Sequence, residues 1–341
     1  MVQPAGNFFA EPAPSDLVEL AADERPRFWV TIDTEEDFDW DAPFARTGYG
    51  LASVPALTDC QSYFACADVK PMYLVDWPIV ADDRAVDILG AAQRRGECEI
   101  GAQLHPWVNP PHDEEVGARS SYTGNLPHAL QRAKMTALRD AIRDRFAVAP
   151  TVYRAGRYGL GPDTATMLAE LGFRCDTSVR SGFDYRAGHG PDYRNMPLHP
   201  WWVRTGAGAM LEVPVTTVFG GLLGGAGQGL YHRLARNGTH VGAALSRLGM
   251  VERIALTPEG IPAERACKAI DIAVELRLPI LNFSFHSPSL QPGNTPYVRS
   301  QDDLALFYRW WDVVLDHLAR RGVEATTASD ILAMAERKVP S

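Results

Sequence analysis

The chain has 341 residues, 46% hydrophobic and 22% charged, enough to bury a large core as one α/β barrel or as two medium domains. A net charge of −9 argues against a nucleic-acid or anionic-membrane surface, since either needs a basic patch. Five scattered cysteines (Cys60, Cys66, Cys98, Cys175, Cys267), without C-x-x-C spacing, argue against a disulfide frame or zinc knot and suit a reducing compartment.

Residues 1–26 are Pro/Ala-rich and acidic and read as a loosely packed N-terminal arm. They show no basic region followed by an apolar run, and no stretch reaches the about 18 apolar residues that span a bilayer, so a cytoplasmic location is expected. From residue 27 to 338 short apolar runs alternate with helical patterns, without a repeat or a linker. "RFWVTID" (27–33) is a strand, followed by a helix near 53–67. "KPMYLVD" (70–76) leads to a helix ending at Gly96, a fitting C-cap. "CEIGAQL" (98–104) opens a Pro-rich loop, and a helix over 127–146 returns to "PTVYRA" (150–155). A helix over 162–171 precedes "FRCDTSV" (173–179), and "MLEVPVT" (210–216) is a further strand. A Gly-rich stretch about 219–250, beginning "FGGLLGGAGQG", reads as a mobile cover or insertion. "RIALTPEG" (253–260), a helix over 263–277, "PILNFSFH" (279–286) and a helix over 303–321 complete the series. Seven or eight such β/α units predict a deformed (β/α) barrel.

In such barrels the chemistry sits at the C-terminal ends of the strands. Read along the chain, the polar residues there are Asp33, Glu35, Asp76, Gln103, His105, Arg154, Arg157, Asp176, Glu212 and His286. Carboxylates, imidazoles and guanidinium groups converging on one mouth form a hydrolytic set. The remaining acids of "TIDTEEDFDW", Glu36 and Asp37 above all, are most simply solvated loop carboxylates.

The ordered motifs "TIDTEED", "EIGAQLHPW", "YRAGRYG", "DTSV" and "FSFHSPSL" resemble the polysaccharide deacetylase family (NodB homology domain, carbohydrate esterase family 4), in particular its WalW-like branch. The likeness runs through residues 27–320. It implies a hydrolase that removes an N- or O-linked acyl group from a carbohydrate or carbohydrate precursor, using one divalent metal, expected to be zinc. By position, Asp33 is the general base, His286 the general acid, Arg154 the partner of the base, and Asp176 the support of the catalytic histidine or a loop cap. The position that usually holds a metal-binding Asp is Thr34, which leaves Glu35 as metal ligand. The two usual His positions are Gln103 and Trp107, which leaves His105, on the same strand face as Gln103, as the imidazole ligand. His112 in the Pro-rich loop is a further imidazole within reach of recruitment. Trp107, Arg157, Tyr158 and Trp40 are expected to line a sugar cleft, where rings stack on aromatic faces. Two other readings stay open: a non-catalytic carbohydrate-binding barrel that has lost its metal, and a small-molecule amidohydrolase or deformylase of the same fold.

Overall fold

A computed structural model describes residues 6–39, 42–221 and 252–337. Eight strands lie in one curled sheet: β10 (Ile280–His286), β1 (Arg27–Thr34), β2 (Met72–Val75), β3 (Glu99–Leu104), β4 (Val152–Ala155), β5 (Cys175–Asp176), β7 (Gly208–Glu212) and β6 (Trp201–Thr205), in that spatial order. All neighbours are parallel except β6 against β7, and the short β11 (Glu324–Ala325) adds to β1. The architecture is the expected deformed (β/α) barrel. It departs from that expectation in the antiparallel β6, a strand that the sequence pattern does not mark. Phe219 and Gly220, assigned above to the cover, belong to β8 (Thr217–Gly220), which pairs with β9 (Glu252–Ala255). The rest of that cover, from residue 222 to 250, lies outside the described residues.

Helices α1 (Leu57–Cys66), α2 (Trp77–Ala81), α3 (Asp83–Arg94), α4 (His128–Phe146), α5 (Thr164–Glu170), α6 (Ala263–Glu275) and α7 (Gln301–Arg320) follow the strands. Their starts are written locally. Asp76 caps α2, Asp82 caps α3, and Ser300 with Asp303 forms a capping box on α7.

Strand alternation divides the core in two. Phe28, Val30, Ile32, Tyr73, Val75, Ile100, Ala102 and Leu104 face the helices and join the larger hydrophobic cluster. Trp29, Met72, Leu74, Val152, Leu211 and Ile280 point the other way, into the lumen. Ile331, Leu332 and Ala335 of the last helix, α8 (Ala328–Glu336), close the bottom of that second cluster. Thr216 N–H donates to Asn282 O, and Leu256 N–H to Thr216 O, so the chain beyond β7 covers the outer edge of β10. The lead-in is less loose than its composition suggests. Phe8 and Val18 are buried, and Val18 and Gly6 donate to Pro200 O and Arg204 O beside β6. Among the described residues no helix is long and apolar enough to cross a membrane.

The parallel register builds the mouth of the barrel. Asp33 lies opposite His286 on one side and Leu74 on the other, and Gln103 lies opposite Arg154. Residues at equal height on neighbouring strands therefore end at one place.

Candidate active site

A cavity of about 460 Å³ opens at that mouth, lined among others by Asp33, Glu35, Gln103, His105, Arg157 and His286. Asp33 pairs with Arg154, which stands behind the lining; the two side chains are 2% and 0% exposed. Arg154 directs all its donors inward: Nη1 to Asp33 and Ser284 Oγ, Nη2 to Thr31 Oγ1 and Thr177 Oγ1, and Nε to Thr177 O. A planar fork held on that many acceptors leaves Asp33 one orientation and offsets its buried charge.

His286 ends β10, and its Nε2 lies 3.6 Å from Asp33 Oδ2. Its ring is held by Glu259, not by Asp176 as the sequence suggested: Nδ1 is 2.7 Å from Glu259 Oε2. Glu259 Oε1 also accepts from His286 N–H at 3.1 Å and from Ser289 Oγ at 2.5 Å. Burial opposes charge on the imidazole, but Glu259, Glu35 and Asp33 outweigh it and raise the pKa to about 10. At neutral pH His286 is therefore a cation carrying a proton on each nitrogen.

Asp176 faces away from the lumen. Its neighbour Cys175 joins the lumen cluster, so alternation turns Asp176 outward, where it accepts from Ser178 N–H and Ser178 Oγ, both at 2.9 Å. It lies opposite Glu212 in the β5–β7 register, and Glu212 Oε1 accepts from Val179 N–H. Both carboxyls are raised by burial, and for Glu212 the charge of Asp176 adds to the effect. This pair joins β5 to β7 and is not among the residues lining the cavity.

Glu35, Gln103 and His105 meet on the opposite wall. Gln103 Nε2 donates to Glu35 Oε2 at 3.2 Å, and His105 Nε2 is 3.4 Å from the same oxygen. Burial raises the Glu35 carboxyl to about 8, against the lowering influence of His286 and His105. Thr34 is out of this group, its hydroxyl donating to Ile32 O on its own strand.

Glu36 corrects the reading of the acidic run. It is fully buried and no solvated loop residue: Oε1 accepts from Trp107 Nε1 at 2.8 Å, and Oε2 lies 2.9 Å from His105 Nδ1. Asp76 stands behind it, accepting from Glu36 N–H and from Ile79 N–H. Burial raises both carboxyls, and the neighbouring Glu36 charge raises Asp76 further. Asp37 is half-buried and accepts from Ser53 N–H and Oγ, while Asp39 is exposed at the cavity rim. Trp40 lies outside the described residues. His112 is exposed and does not line the cavity.

Two sets of side chains are arranged for a cation. Glu36, Asp76 and His105 have ligand atoms within 4.8 Å of one another. Their carboxylate oxygens, however, already accept from Trp107, His105, Ile79 and the Glu36 amide. In the second set Glu35 Oε1 and Gln103 Oε1 are buried acceptors without a hydrogen-bond partner. Buried acceptors are rarely left so, and two of them on side chains joined through Glu35 Oε2, itself 3.4 Å from His105 Nε2, are a donor set that suits a cation. Glu36 then has the place of a carboxylate that orients a ligating histidine through its other nitrogen.

The wall beyond is "RAGRYG". Gly156 is required there, because a Cβ would lie 2.4 Å from His105 Cδ2 and 2.6 Å from Leu104 O. The next two residues, Arg157 and Tyr158, adopt left-handed φ of 54° and 60°, an uncommon and strained pair for non-glycine residues. Both line the cavity. Trp107 lines it as well, 3% exposed and stacked on His105 with centroids 4.4 Å apart.

No protein-family model matches the chain, and no curated protein matches its sequence. Among solved structures it is similar to a Mycobacterium smegmatis protein designated a polysaccharide deacetylase, at 16% identity over 96% of both chains, TM-score 0.56. It is also similar to Puue allantoinase, at 13% identity over 100% of this chain and 99% of that one, TM-score 0.52. A third is the 4-alpha-glucanotransferase of Thermococcus litoralis, at 12% identity, covering 91% of this chain and 40% of that one, TM-score 0.54. These likenesses establish the deformed (β/α) barrel that polysaccharide deacetylases and allantoinase share. Because proteins of different names share it, the fold alone does not select a reaction.

Proposed function

We propose that the protein is a metal-assisted hydrolase that removes an N- or O-linked acyl group from a carbohydrate or carbohydrate precursor. The observation that carries this reading is the facing of Asp33 and His286 at 3.6 Å, each held by its own buried partner, Arg154 and Glu259. A binding module needs no such opposed acid and base. The orphaned oxygens of Glu35 and Gln103 support a divalent cation, expected to be zinc, held by those residues and His105 Nε2.

When bound, that cation would supply Lewis-acid polarisation of the acyl carbonyl and a more acidic attacking water. The chain's own residues do the proton work. Asp33 accepts a proton from the attacking water, and Arg154 keeps its carboxylate turned toward the cavity. His286, a cation at neutral pH, delivers a proton from Nε2 to the leaving nitrogen or oxygen. Glu259 orients the ring and balances the charge before transfer. Trp107, Arg157 and Tyr158 form the wall against which the sugar-like part lies. Asp176, which the family likeness names as a support of the histidine, supports the β5–β7 wall in this reading.

The test is acetate release from N-acetylated amino sugars by zinc-loaded protein, with Asp33→Asn beside it. Release by the wild type and a loss of roughly 10²-fold or more in the variant are expected. Equal rates in the two proteins would remove Asp33 from the mechanism, and no release with no bound zinc would return the chain to the binding-barrel reading.

A further inference from the structure

The cavity holds four buried carboxyls at its floor, Asp33, Glu35, Glu36 and Glu259, and also two guanidinium groups without an ion-pair partner among the described residues. Arg157 and Arg180 both line it. Among the described residues neither has a carboxylate within the 4.0 Å of an ion pair, although most arginines of this acidic chain do. The residues outside the described part contain a single carboxylate side chain, Asp41. Instead each guanidinium is clamped by rings. Arg157 lies 4.2 Å from the Tyr122 centroid and 4.8 Å from that of Phe44. Arg180 lies 4.1 Å from Phe183 and 5.2 Å from Tyr158. Stacking holds the planes still and leaves the N–H edges to find their own acceptors. Few are found: Arg157 Nη1 donates to Ser121 Oγ, Arg180 Nη1 reaches Tyr185 Oη at a long 3.4 Å, and Arg180 Nε is buried without a partner. A buried charged donor left open is costly unless a ligand completes it. The strained backbone that presents Arg157 is a further expense concentrated at this wall.

We infer that the substrate carries an oxyanion, a carboxylate or a phosphate, which Arg157 and Arg180 bind while the scissile acyl group faces Asp33 and His286. The cavity is polarised, with acids at the floor and guanidinium groups on the wall. The floor carboxylates Asp33 and Glu259 are already met by Arg154 and His286, whereas the wall guanidinium groups have no ion-pair partner among the described residues, so an anionic tail is drawn to the wall and the charge pattern sets the direction in which the substrate lies. For the reaction this inference rests on the hydrolase reading above; for binding it stands on the two arginines alone.

Three probes separate the outcomes: the methyl glycoside of N-acetylglucosamine, the same sugar oxidised to a carboxylate at C6, and its 6-phosphate. Calorimetric Kd values and acetate release are measured for wild type, Arg180→Met and Arg157→Met, with thermal unfolding to check each variant. One anionic probe is expected to bind wild-type protein at least tenfold more tightly than the neutral sugar, and the better anion identifies the group. In either folded variant that ratio should fall to within about twofold. The inference is overturned by equal or weaker binding of both anions, by no binding of any probe, or by a ratio that survives both substitutions. The wild-type comparison needs no variant, so misfolding of one does not rescue the idea. Acetate release without anionic preference would sink this inference and leave the hydrolase standing, whereas anionic preference without acetate release would do the reverse.

Discussion

Replacing Glu259 by glutamine tests the acid half of the site with one atom changed. Glu259 makes three contacts, through Oε2 to His286 Nδ1 and through Oε1 to His286 N–H and Ser289 Oγ. A glutamine keeps the Oε1 contacts and presents N–H where the imidazolium needs an acceptor. The charged form of His286 then loses its acceptor at Nδ1, while the neutral form with Nδ1 accepting gains a donor, so the equilibrium shifts toward the neutral ring. A hydrogen bond to a charged group contributes about 1.5–3 kcal/mol, and 1.36 kcal/mol corresponds to one pKa unit. The side chain of His286 is 22% exposed, so the lower part of that range applies and the pKa falls from about 10 by roughly one to two. The sign is that of a raised histidine: the charged form is present below the folded pKa and is lost as pH rises through it. The descending limb of kcat/KM should therefore begin near 10 in the wild type and move toward neutrality in the variant. The imidazole NMR titration should move in parallel. Above the new limb the rate should fall by roughly 10²-fold, the low end for loss of a general acid. Unchanged profile and rate would show that Glu259 does not support a proton donor, and His286 would lose its assigned role.

Arg154→Met should destabilise the fold by about 3–5 kcal/mol, because it strands the buried Asp33 carboxylate; chemical denaturation with unchanged slope checks this. Glu36→Gln should weaken zinc binding by roughly 10–100-fold through misorientation of His105, whereas Glu35→Ala should remove measurable binding, and the reverse order would assign the cation to the Glu36 group. Glu212→Gln copies the protonated form of a carboxyl whose folded pKa lies well above its ordinary value. The stability of the wild type present at low pH is lost as pH rises through the raised value, so the variant should match it in acid and melt higher toward alkaline pH. Equal melting curves across that range would mean that the Glu212 carboxyl is not raised in the folded protein.

Much of this site is legible in the chain because strand ends are visible in sequence. Ile32 before Asp33 and Phe285 before His286 mark apolar runs that stop on a polar residue, and a barrel brings such ends to one mouth. Period-two alternation likewise pairs Gln103 with His105 without reference to coordinates. The same rule applied to "RIALTPEG" points toward Glu259, four residues past the end of β9. Its role escapes the sequence because nothing local says that its carboxylate reaches back to β10.

Where sequence reasoning errs, the deciding fact is a contact across the fold. Glu36 looks like its solvated neighbours until β2 and β3 bring Asp76, His105 and Trp107 around it. Asp176 looks like a partner for the histidine until alternation from Cys175 turns it out of the lumen. The two arginines of the cavity wall are ordinary in a one-dimensional list, where an acidic chain offers many partners; only packing shows that rings rather than carboxylates surround them. Local patterning thus determined which residues stand at the ends of strands. Burial and the partners that replace water, which set charge, orientation and use, came from residues far apart in the chain, such as Glu35 and Ser287, 252 positions apart.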